Sequence, residues 1–384
     1  MKKKTYYLVL LGALGAITAQ AFETDDAYDR KVRANQAFYK ADETHDYKLT
    51  EADGENWAKY KALDKNGDGV VSHEEFLAGV ELPYAPWSGK VTRNVVCKRV
   101  DGVPVLLDIY EPLVKKYKKA PVFYYTHGGG WTGGTDEIGN GELPLFEALS
   151  KEGFVCVSVM YRLVKMHDPE NSLIIRDQVI DCRDGLRFLK KNEAELGIDM
   201  DRVVVFGSSA GGHLAQMLTF SDTDDFVGDP QLASYKANVA AGVSWFGPFD
   251  FRSAEYFVFN DGVKGRFAPD HWTRRATKYE GEDSLYNHLD PATKKALEEI
   301  SPISWLDKND PPLLHYHGDK DPVISYRQAI HMKDVAAKKS AKVEVRTVKN
   351  GIHGWWNKDT VPSRKEIEKA TVEYILQQVA PTAP

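Results

Sequence analysis

Cysteine, strong net charge and long apolar segments are all scarce in this sequence. Its 384 residues contain three cysteines, which are too few for the disulfide framework of a small secreted domain. The 50 lysines and arginines nearly balance the 56 aspartates and glutamates, so the net charge of −6 offers no electrostatic basis for binding nucleic acid. With 42% hydrophobic and 28% charged residues, the composition is that of a globular protein and excludes a disordered or fibrous chain.

A short apolar stretch near the N-terminus predicts export. Lysines at positions 2–4 precede the apolar residues 8–17, and the small residues Ala19 and Ala21 close the stretch. This pattern is typical of a signal peptide, here residues 1–21, which would direct the protein to the periplasm or out of the cell. The alternative is an uncleaved anchor, but the apolar run is too short to span a bilayer comfortably. We therefore expect no stable membrane insertion after cleavage.

After export the cysteines would lie in an oxidising compartment, where two of them could form a disulfide. Two lie in predicted strands and one in a predicted helix, where a free buried cysteine behaves as a small apolar side chain. The sequence leaves open whether any pair forms among Cys97, Cys156 and Cys182.

Two modules can be separated along the chain. Residues 28–80 are polar and helical in pattern, and the proline-containing segment 81–90 reads as a linker. From 91 to 384, β-branched runs alternate with amphipathic stretches, which predicts a mostly parallel sheet covered by helices on both faces. The predicted strands are 121–126, 154–160, 202–206, 239–245, 312–317 and 342–348, and the predicted helices are 172–196, 211–220, 325–338 and 363–379.

An insertion at about 248–300 interrupts this alternation and is predicted to form a cap. Its aromatic side chains could line an acyl or sugar pocket or form the cap's own small core, and the sequence favours neither. These side chains are Tyr256, Phe257, Phe259, Trp272 and Tyr279.

The small module contains a twelve-residue loop, 64–75, that fits the EF-hand pattern. Calcium prefers six to eight oxygen ligands, and this loop presents them at alternating positions. Gly69 permits the sharp turn, and Val71 is expected to point into the module's core. The alternative is a polar turn without metal. The predicted ligands of a structural calcium ion are Asp64, Asn66, Asp68, the carbonyl of Val70, Glu75 with both carboxylate oxygens, and Ser72 directly or through water.

An earlier loop resembles this one but departs from the pattern at two positions. Tyr47 replaces the turn glycine, and Asp53 replaces the bidentate glutamate with a shorter carboxylate. Since EF-hands pack as pairs, we expect a structural mate that binds calcium weakly or not at all. The module resembles EF-hand pairs fused to exported bacterial enzymes, and stabilisation or docking is its expected role. The corresponding positions are Asp42, Thr44, Asp46, Lys48, Thr50 and Asp53.

The large module carries a nucleophile motif, the glycine-flanked serine of 207–211. A predicted strand precedes it and a predicted helix follows, so Ser209 is expected on a strained turn at a helix N-terminus. The run 127–131, His-Gly-Gly-Gly-Trp, follows another strand. Only glycine lets backbone N–H groups come close enough to an oxyanion. The expected oxyanion-hole donors are the N–H groups of Gly129, Gly130 and Ala210, with His127 holding the loop by hydrogen bonds.

The acid and the base are expected later in the chain, in the order serine, aspartate, histidine. Asp321 follows a predicted strand and is our choice of acid, while Asp319 is expected to shape the turn and Asp250 is the third candidate. His353 follows the last strand between two glycines. It would take the proton from Ser209 and return it to the leaving alcohol, while Asp321 fixes its tautomer.

From about residue 91 to the C-terminus, the chain resembles α/β-hydrolases of the hormone-sensitive-lipase-like group, and within it bacterial feruloyl and acetyl-xylan esterases. The resemblance implies an α/β-hydrolase fold and hydrolysis of carboxylic esters through an acyl-enzyme, with no metal in the active site. The cap insertion and the EF-hand pair depart from the family pattern. The family's substrates are therefore a weak guide to the substrate of this protein. The segments that carry the resemblance are 127–131, 161–162, 199–203, 207–215, 317–323 and 351–354.

The sequence therefore predicts an exported serine carboxylesterase that removes short acyl groups, acetyl or feruloyl, from a small ester or an acylated polysaccharide. A serine peptidase or amidase would use the same triad, but no separate recognition domain is visible. A calcium-dependent scaffold with an inactive hydrolase domain is disfavoured because every member of the catalytic set is present. The acyl group, the alcohol and the oligomeric state stay open.

Overall fold

A computed structural model describes residues 6–8, 21–136, 138–139, 141–163, 175–252 and 291–379. Most of the predicted cap, including its five aromatic side chains, lies outside the described residues. The same holds for most of the predicted signal peptide, of which Tyr6–Leu8 forms a strand that pairs antiparallel with Ala21–Glu23.

The large module is built on an eight-stranded sheet. Its strand order is β12-β11-β10-β9-β7-β8-β6-β5. The hairpin β5–β6 and the pair β6–β8 are antiparallel, and the other neighbours are parallel. The strands of the chain are β1 (Tyr6–Leu8), β2 (Ala21–Glu23), β3 (Lys48–Leu49), β4 (Val71–Ser72), β5 (Val91–Val100), β6 (Val103–Tyr110), β7 (Ala120–Thr126), β8 (Val155–Met160), β9 (Ile198–Ser208), β10 (Ala241–Trp245), β11 (Leu313–Gly318) and β12 (Val343–Val348).

Helices cover both faces of this sheet, as the sequence predicts. One apolar core lies under α5 and α7 and the other under α4 and α11; β7 and β8 between them are buried along their whole length. The helices are α1 (Asp26–Ala41), α2 (Glu55–Tyr60), α3 (His73–Gly79), α4 (Leu143–Lys151), α5 (Ile175–Lys191), α6 (Glu193–Leu196), α7 (Ala210–Phe220), α8 (Pro291–Glu299), α9 (Pro302–Trp305), α10 (Arg327–Lys339) and α11 (Arg364–Val379), with 3₁₀ turns at Glu51–Asp53 and Lys61–Leu63.

The predicted strands and helices lie within a few residues of the observed ones where the structure describes them. The prediction did not single out β5 and β6, the antiparallel hairpin at the sheet edge, or the helix α4. The α/β-hydrolase fold, with its mostly parallel sheet, is confirmed.

The N-terminal module is a pair of helix–loop–helix units. Its two loops pair through the short antiparallel strands β3 and β4, with Leu49 opposite Val71. Both side chains are fully buried, and Phe38 of α1 packs edge-on against Phe76 of α3 at a centroid distance of 5.3 Å. Val71 therefore lies in the module's core, as expected.

This module is docked on the sheet edge. Asn94 of β5 donates to Asp26 of α1 at 2.9 Å. Tyr84 lies in the segment 81–90, which has no helix or strand. The guanidinium groups of Arg33 and Arg93 each lie 4.0 Å from the centroid of its ring. The linker thus takes part in the contact between the modules.

A buried ionic network ties β5 to α5. Lys98 Nζ lies 2.8 Å from Asp181 and 2.9 Å from Asp184. Arg187 pairs with Asp184 at 2.8 Å, and Arg162 holds Asp181 with two hydrogen bonds of 2.8 and 2.9 Å. All of these side chains except Arg162 are almost wholly inaccessible to solvent, so each charge depends on its partners.

The three cysteines, Cys97, Cys156 and Cys182, are buried free thiols. Burial raises the pKa of each thiol above its ordinary value, so they are present as neutral apolar groups. Among the helices that the structure describes, none has the length and apolar character needed to cross a membrane.

Candidate active site

Ser209 lies on the sharp turn between β9 and α7, with φ 55° and ψ −122°. A Cβ on Gly207 would lie 2.2 Å from the Gly211 carbonyl oxygen, and one on Gly211 would lie 2.0 Å from that of Thr126. Both contacts are far shorter than atoms allow, so only glycine fits on either side of the serine. The turn therefore places Ser209, partly accessible to solvent, at the carboxyl edge of the sheet, where the sequence predicts it.

Ser209, His353 and Asp321 form a continuous hydrogen-bonded row. His353 Nε2 lies 3.1 Å from Ser209 Oγ, and His353 Nδ1 lies 2.7 Å from Asp321 Oδ2. The other oxygen of Asp321 accepts the backbone N–H groups of Val323 and Ile324 at 2.8 and 2.9 Å. Burial acts to raise the pKa of Asp321, but these hydrogen bonds, chiefly that with His353, lower it below its usual value. The carboxylate is thus held charged beside the imidazole.

The other two aspartates considered for the acid have different partners. Asp250 binds Arg252 with two hydrogen bonds and lies 3.1 Å from His331 Nε2. Although burial acts to raise the pKa of Asp250, these partners lower it to about 2. The Asp319 backbone N–H donates to the Val348 carbonyl, so Asp319 shapes the turn after β11.

The glycine-rich loop after β7 lies directly against the turn at Ser209. A Cβ on Gly128 would lie 3.0 Å from the Ser208 carbonyl oxygen and 3.7 Å from Ser209 Cβ. Gly129 and Gly130 have φ values of 115° and 59°, in the region that favours glycine. The structure therefore brings Gly128, the residue before these two glycines, against Ser209, and Ala210 follows Ser209 at the start of α7.

His127 holds this loop in place. Its ring stacks on Tyr161 with a centroid distance of 4.1 Å and an interplanar angle of 9°. Its Nδ1–H donates to the Gly128 carbonyl at 2.7 Å, and the Tyr161 hydroxyl donates to the His127 carbonyl at 2.7 Å. Burial lowers the pKa of His127 to about 4. A neutral, buried and fully oriented ring suits loop positioning and not proton transfer.

Sequence reasoning missed a second buried histidine, His213 of α7. Its Nε2–H donates to the Ile300 carbonyl at 2.7 Å, and its Nδ1 accepts the indole N–H of Trp131 at 3.3 Å. Burial lowers its pKa to about 4. His213 therefore ties α7 to the glycine-rich loop after β7 and to the segment after α8. The sequence signal was its place in the Gly-Gly-His run after Ser209.

A histidine pair on β11 lies beside Asp321. The His317 Nε2–H donates to the Ile324 carbonyl at 2.9 Å, and its Nδ1 lies 3.2 Å from His315 Nε2. His317 Nε2 also lies 3.6 Å from Asp321 Oδ2. Burial lowers the pKa of both histidines, so the pair is neutral at pH 7.

These buried histidines predict a loss of stability in acid. In the unfolded chain a histidine has a pKa near 6.5, whereas those of His127 and His213 are about 4 in the fold. Below pH 6.5 the unfolded state takes up protons that the native state does not. The free energy of unfolding should then fall by up to about 1.4 kcal/mol per pH unit for each such group. Urea unfolding from pH 7 to 4.5 measures this slope.

One variant isolates one of the groups. His213→Gln should make the slope shallower by about one proton. Equal slopes for the wild type and His213→Gln would contradict the assignment of His213 as a neutral buried ring.

The predicted calcium loop has the backbone of a tight turn and a set of oxygen donors. Gly67 and Gly69 have φ values of 75° and 82°. The Asp64 carboxylate accepts their N–H groups at 2.7 and 3.0 Å, and Glu75 accepts those of Lys65 and Ser72 at 3.1 and 3.0 Å. Over the described ranges, no three His, Cys, Asp or Glu side chains converge as a metal cluster. The donor chemistry, all oxygen and partly exposed, nevertheless fits a hard cation.

The earlier loop is closed by its own hydrogen bonds. Asp42 is buried and accepts the N–H groups of Asp46 and Tyr47 at 3.2 and 2.9 Å. Asp53 accepts those of Thr44 and Thr50, and these bonds lower its pKa although burial acts to raise it. Two of its carboxylates are thus already engaged by backbone donors.

The sheet order, the serine on its strand-to-helix turn and the loop placed against it define an α/β-hydrolase. A family model described as BD-FAE, an α/β-hydrolase esterase family, matches residues 107–335. The match spans more than half of the sequence, and the chain belongs to this family.

Several curated proteins resemble the chain. It is 28% identical over 210 residues to the probable carboxylic ester hydrolase LipM of Mycobacterium tuberculosis. The aligned region covers 55% of this chain and 43% of that protein. It is 26% identical over 309 residues to esterase LipQ of the same organism, covering 77% and 62%. The chain thus spans only about half of the length of these relatives.

Solved structures resemble the fold. Esterase 2 of Thermogutta terrifontis, phosphorylated by paraoxon, is 19% identical with a TM-score of 0.58, covering 79% of this chain and 100% of that one. Its butyrate-bound form is 21% identical with a TM-score of 0.56, covering 77% and 96%. At these identities the likeness shows the shared fold.

Proposed function

We propose that this protein is a serine carboxylic ester hydrolase that acts on short-chain acyl esters. The observation that carries the proposal is the row of hydrogen bonds from Ser209 Oγ through His353 to Asp321, at 3.1 and 2.7 Å. The names of the relatives, carboxylic ester hydrolase and esterase, support the same chemistry.

The geometry suits the two-step reaction of such an enzyme. His353 Nε2 takes the proton from Ser209 Oγ as the hydroxyl attacks the ester carbonyl, and then gives it to the leaving alcohol. Asp321 keeps the proton of the neutral imidazole on Nδ1. The N–H groups of Gly129, Gly130 and Ala210 stabilise the oxyanion. Water, activated by His353, then hydrolyses the acyl-serine.

The test is acid release from p-nitrophenyl acetate, acetylated xylan and methyl ferulate, with p-nitroacetanilide as the matched amide. Ester turnover that exceeds amide turnover by orders of magnitude supports the proposal. A folded protein that cleaves only the amide is an amidase, and one silent on all four substrates favours the scaffold hypothesis.

Covalent labelling tests the nucleophile independently of substrate choice. Because a solved relative is phosphorylated by paraoxon, we expect paraoxon to add one phosphoryl group to this protein at Ser209. Peptide mass spectrometry locates the adduct, and His353→Gln should slow its formation because the base is lost. An adduct on any other serine would contradict the assignment.

We propose further that the natural substrate is an acylated carbohydrate, and the exposed ring of Trp356 supports this. Trp356 follows His353 by three residues, and 66% of its surface is accessible. The Arg364 guanidinium lies 4.1 Å from its ring centroid, and Arg364 is itself held by the carbonyls of Gly354 and Gly141 at 2.9 and 2.6 Å. One ring face is thus backed by a fixed cation, which leaves the other for a pyranose to stack on.

Trp356→Ala should therefore change substrate preference. The ratio of kcat/KM for acetylated xylan to that for p-nitrophenyl acetate should fall about five- to tenfold, equivalent to ~1 kcal/mol of stacking. Trp356→Phe should keep most of the ratio, and Tyr39→Ala, another exposed aromatic of this chain, should not alter it. An unchanged ratio in Trp356→Ala would remove the support for a carbohydrate substrate.

We also propose that loop 64–75 binds a structural calcium ion through Asp64, Asn66, Asp68, the Val70 carbonyl and Glu75, with Ser72 adding an oxygen. A bound ion would stabilise the fold in proportion to its concentration, by about 2.7 kcal/mol at a hundredfold excess over Kd. Calcium should raise Tm of the wild type and of Glu74→Gln, a neighbouring exposed glutamate, but not of Glu75→Gln. Isothermal titration calorimetry measures binding directly. Equal shifts in all three proteins would contradict the site.

Export with cleavage after Ala21 completes the proposal. The chain would then begin at Phe22, whose side chain is buried and packs on Phe188 at a centroid distance of 5.8 Å. N-terminal sequencing of protein recovered from the periplasm or the medium tests the cleavage site. An N-terminus at Met1 would contradict it.

A further inference from the structure

Helix α1 of the N-terminal module lies against the loop 127–134 that follows β7. This loop contains Gly129 and Gly130, the proposed oxyanion donors, and is called the oxyanion loop. A Cβ built on Gly133 would lie 2.9 Å from Gln36 Oε1 and 3.8 Å from Gln36 Cδ. The Gln36 side chain therefore occupies the space beside Gly133. The sequence, which separates the two modules by a linker, does not predict this contact between them.

Gly133 is in turn packed on Gly129, the first of the two glycines assigned to the oxyanion hole. The Gly133 N–H donates to the Gly129 carbonyl at 2.9 Å. A Cβ on Gly129 would lie 2.1 Å from the Gly133 carbonyl oxygen, so the two backbones are in direct contact. A displacement of the Gly133 backbone would therefore also displace the backbone of Gly129.

Helix α1 is held firmly enough to act as a support. On one side, Asp26 accepts from Asn94 of β5, and Asp29 accepts the hydroxyl of Tyr84. On the other side, Asn35, the neighbour of Gln36, lies 2.8 Å from His73 Nε2 at the start of α3. The helix is thus fixed both to the sheet edge and to the rest of its own module.

We propose that Gln36 is a positioning residue for ester hydrolysis, through which the N-terminal module seats the oxyanion loop in its active geometry. The inference rests on the proposed function. It makes the module a part of the catalytic unit and not an appended stabilising domain. Its effect should appear where charge develops on the oxygen of the tetrahedral intermediate.

Gln36→Ala should lower kcat on p-nitrophenyl acetate about tenfold. Deleting an oxyanion donor costs more, roughly 10²–10³-fold. The effect here is smaller because the donors stay in place and only the contact of Gln36 with their loop is lost. Affinity for an alkyl boronic acid, whose adduct with Ser209 places an oxygen in the hole, should fall by the same factor. KM should change much less than kcat. Gln36→Met, which keeps the length of the side chain, should restore most of the activity. Lys31→Ala, at an exposed position on the opposite side of α1, should match the wild type.

A size exchange between the two residues gives the decisive measurement. Gly133 lies outside the left-handed region, and the one close obstacle to a Cβ there is Gln36 Oε1. Gly133→Ala alone should therefore lower kcat and boronate affinity by displacing the glutamine. In the Gln36→Ala background it should cost nothing further, which is a non-additivity that independent sites do not show.

The outcomes separate this inference from the proposed function. If the wild type hydrolyses esters and Ser209→Ala does not, the proposed function stands. Unchanged kcat and boronate affinity in Gln36→Ala, or strictly additive effects in the double variant, would then overturn the role of Gln36 alone. A tenfold loss in Gln36→Ala that tracks a fall in Tm and is not restored by Gln36→Met would also overturn it, since it would reflect stability only.

Discussion

Ser209→Ala should lower kcat on p-nitrophenyl acetate by at least about 10⁴-fold while the protein stays folded. The hydroxyl that forms the acyl-enzyme is lost, and only binding and the oxyanion hole remain to accelerate attack by water. The fold should tolerate the change because alanine and serine face the same backbone strain at φ 55°. Initial rates and Tm, measured on one preparation, test both statements.

The neighbouring serine supplies the control. Ser208→Ala removes a hydroxyl one residue away, at the end of β9, and should keep most of the activity. A Ser209→Ala protein with more than about 1% of wild-type turnover would exclude Ser209 as nucleophile. Residual turnover of that size cannot come from the remaining groups.

His353→Ala and Asp321→Asn should not add to the loss in Ser209→Ala, because the three side chains act as one unit. Each change alone should lower kcat, since His353 contacts Ser209 Oγ at 3.1 Å and Asp321 contacts His353 at 2.7 Å. Kinetics of the single and double variants measure this. If the fold losses in kcat of the single variants multiply in the double variants, the three residues do not act in the same step.

Lys98→Met should lower the free energy of unfolding by about 3–5 kcal/mol, the largest stability effect that we expect. The change removes the cation between Asp181 and Asp184, at 2.8 and 2.9 Å, and leaves two carboxylates with fewer partners where solvent does not reach. Urea unfolding measures the loss.

An exposed ion pair gives the comparison. Lys116 and Glu152 are each 40% accessible, and Lys116→Met should cost no more than about 1 kcal/mol. Should Lys98→Met not fold, Asp184→Asn, which keeps the shape of the side chain, should still unfold at a lower urea concentration than the wild type. A cost for Asp184→Asn no greater than for Lys116→Met would show that the buried network contributes little.

The sequence was most informative where structure is local. The turn at Ser209 could be predicted because glycines 207 and 211 lie on either side of the serine, between a run with strand character and a run with helix character. The parallel strands were predictable for the same kind of reason: a strand buried on both faces is apolar along its length, as β7 and β8 are. The hairpin β5–β6 was not singled out, because it carries charged groups such as Lys98 and Asp108 inside the fold.

The choice among aspartates shows where local pattern ends. Asp250 and Asp321 both follow strands of the sheet, and nothing near either residue in the chain states which will meet His353. Asp250 is turned to Arg252 and His331, whereas Asp321 reaches His353. Both lie between Ser209 and His353 in the chain, so the order of residues does not separate them, and Asp321 was chosen for its place in the loop directly after the strand 312–317. The packing of α10, which carries His331, beside Asp250 explains why that carboxylate is bound elsewhere.

By itself the sequence determined the α/β class, the positions of most strands and helices in the large module, and the residue types available for acyl transfer. These follow from side-chain periodicity and from the backbone freedom of glycine, which act over a few residues. Only the tertiary structure decided that Lys98 is paired inside the protein, that the ring of Trp356 is exposed, and that Gln36 touches the glycine-rich loop after β7. Each of these depends on surfaces that the chain brings together from distant segments, and burial, which sets their energies, exists only once the helices have packed on the sheet.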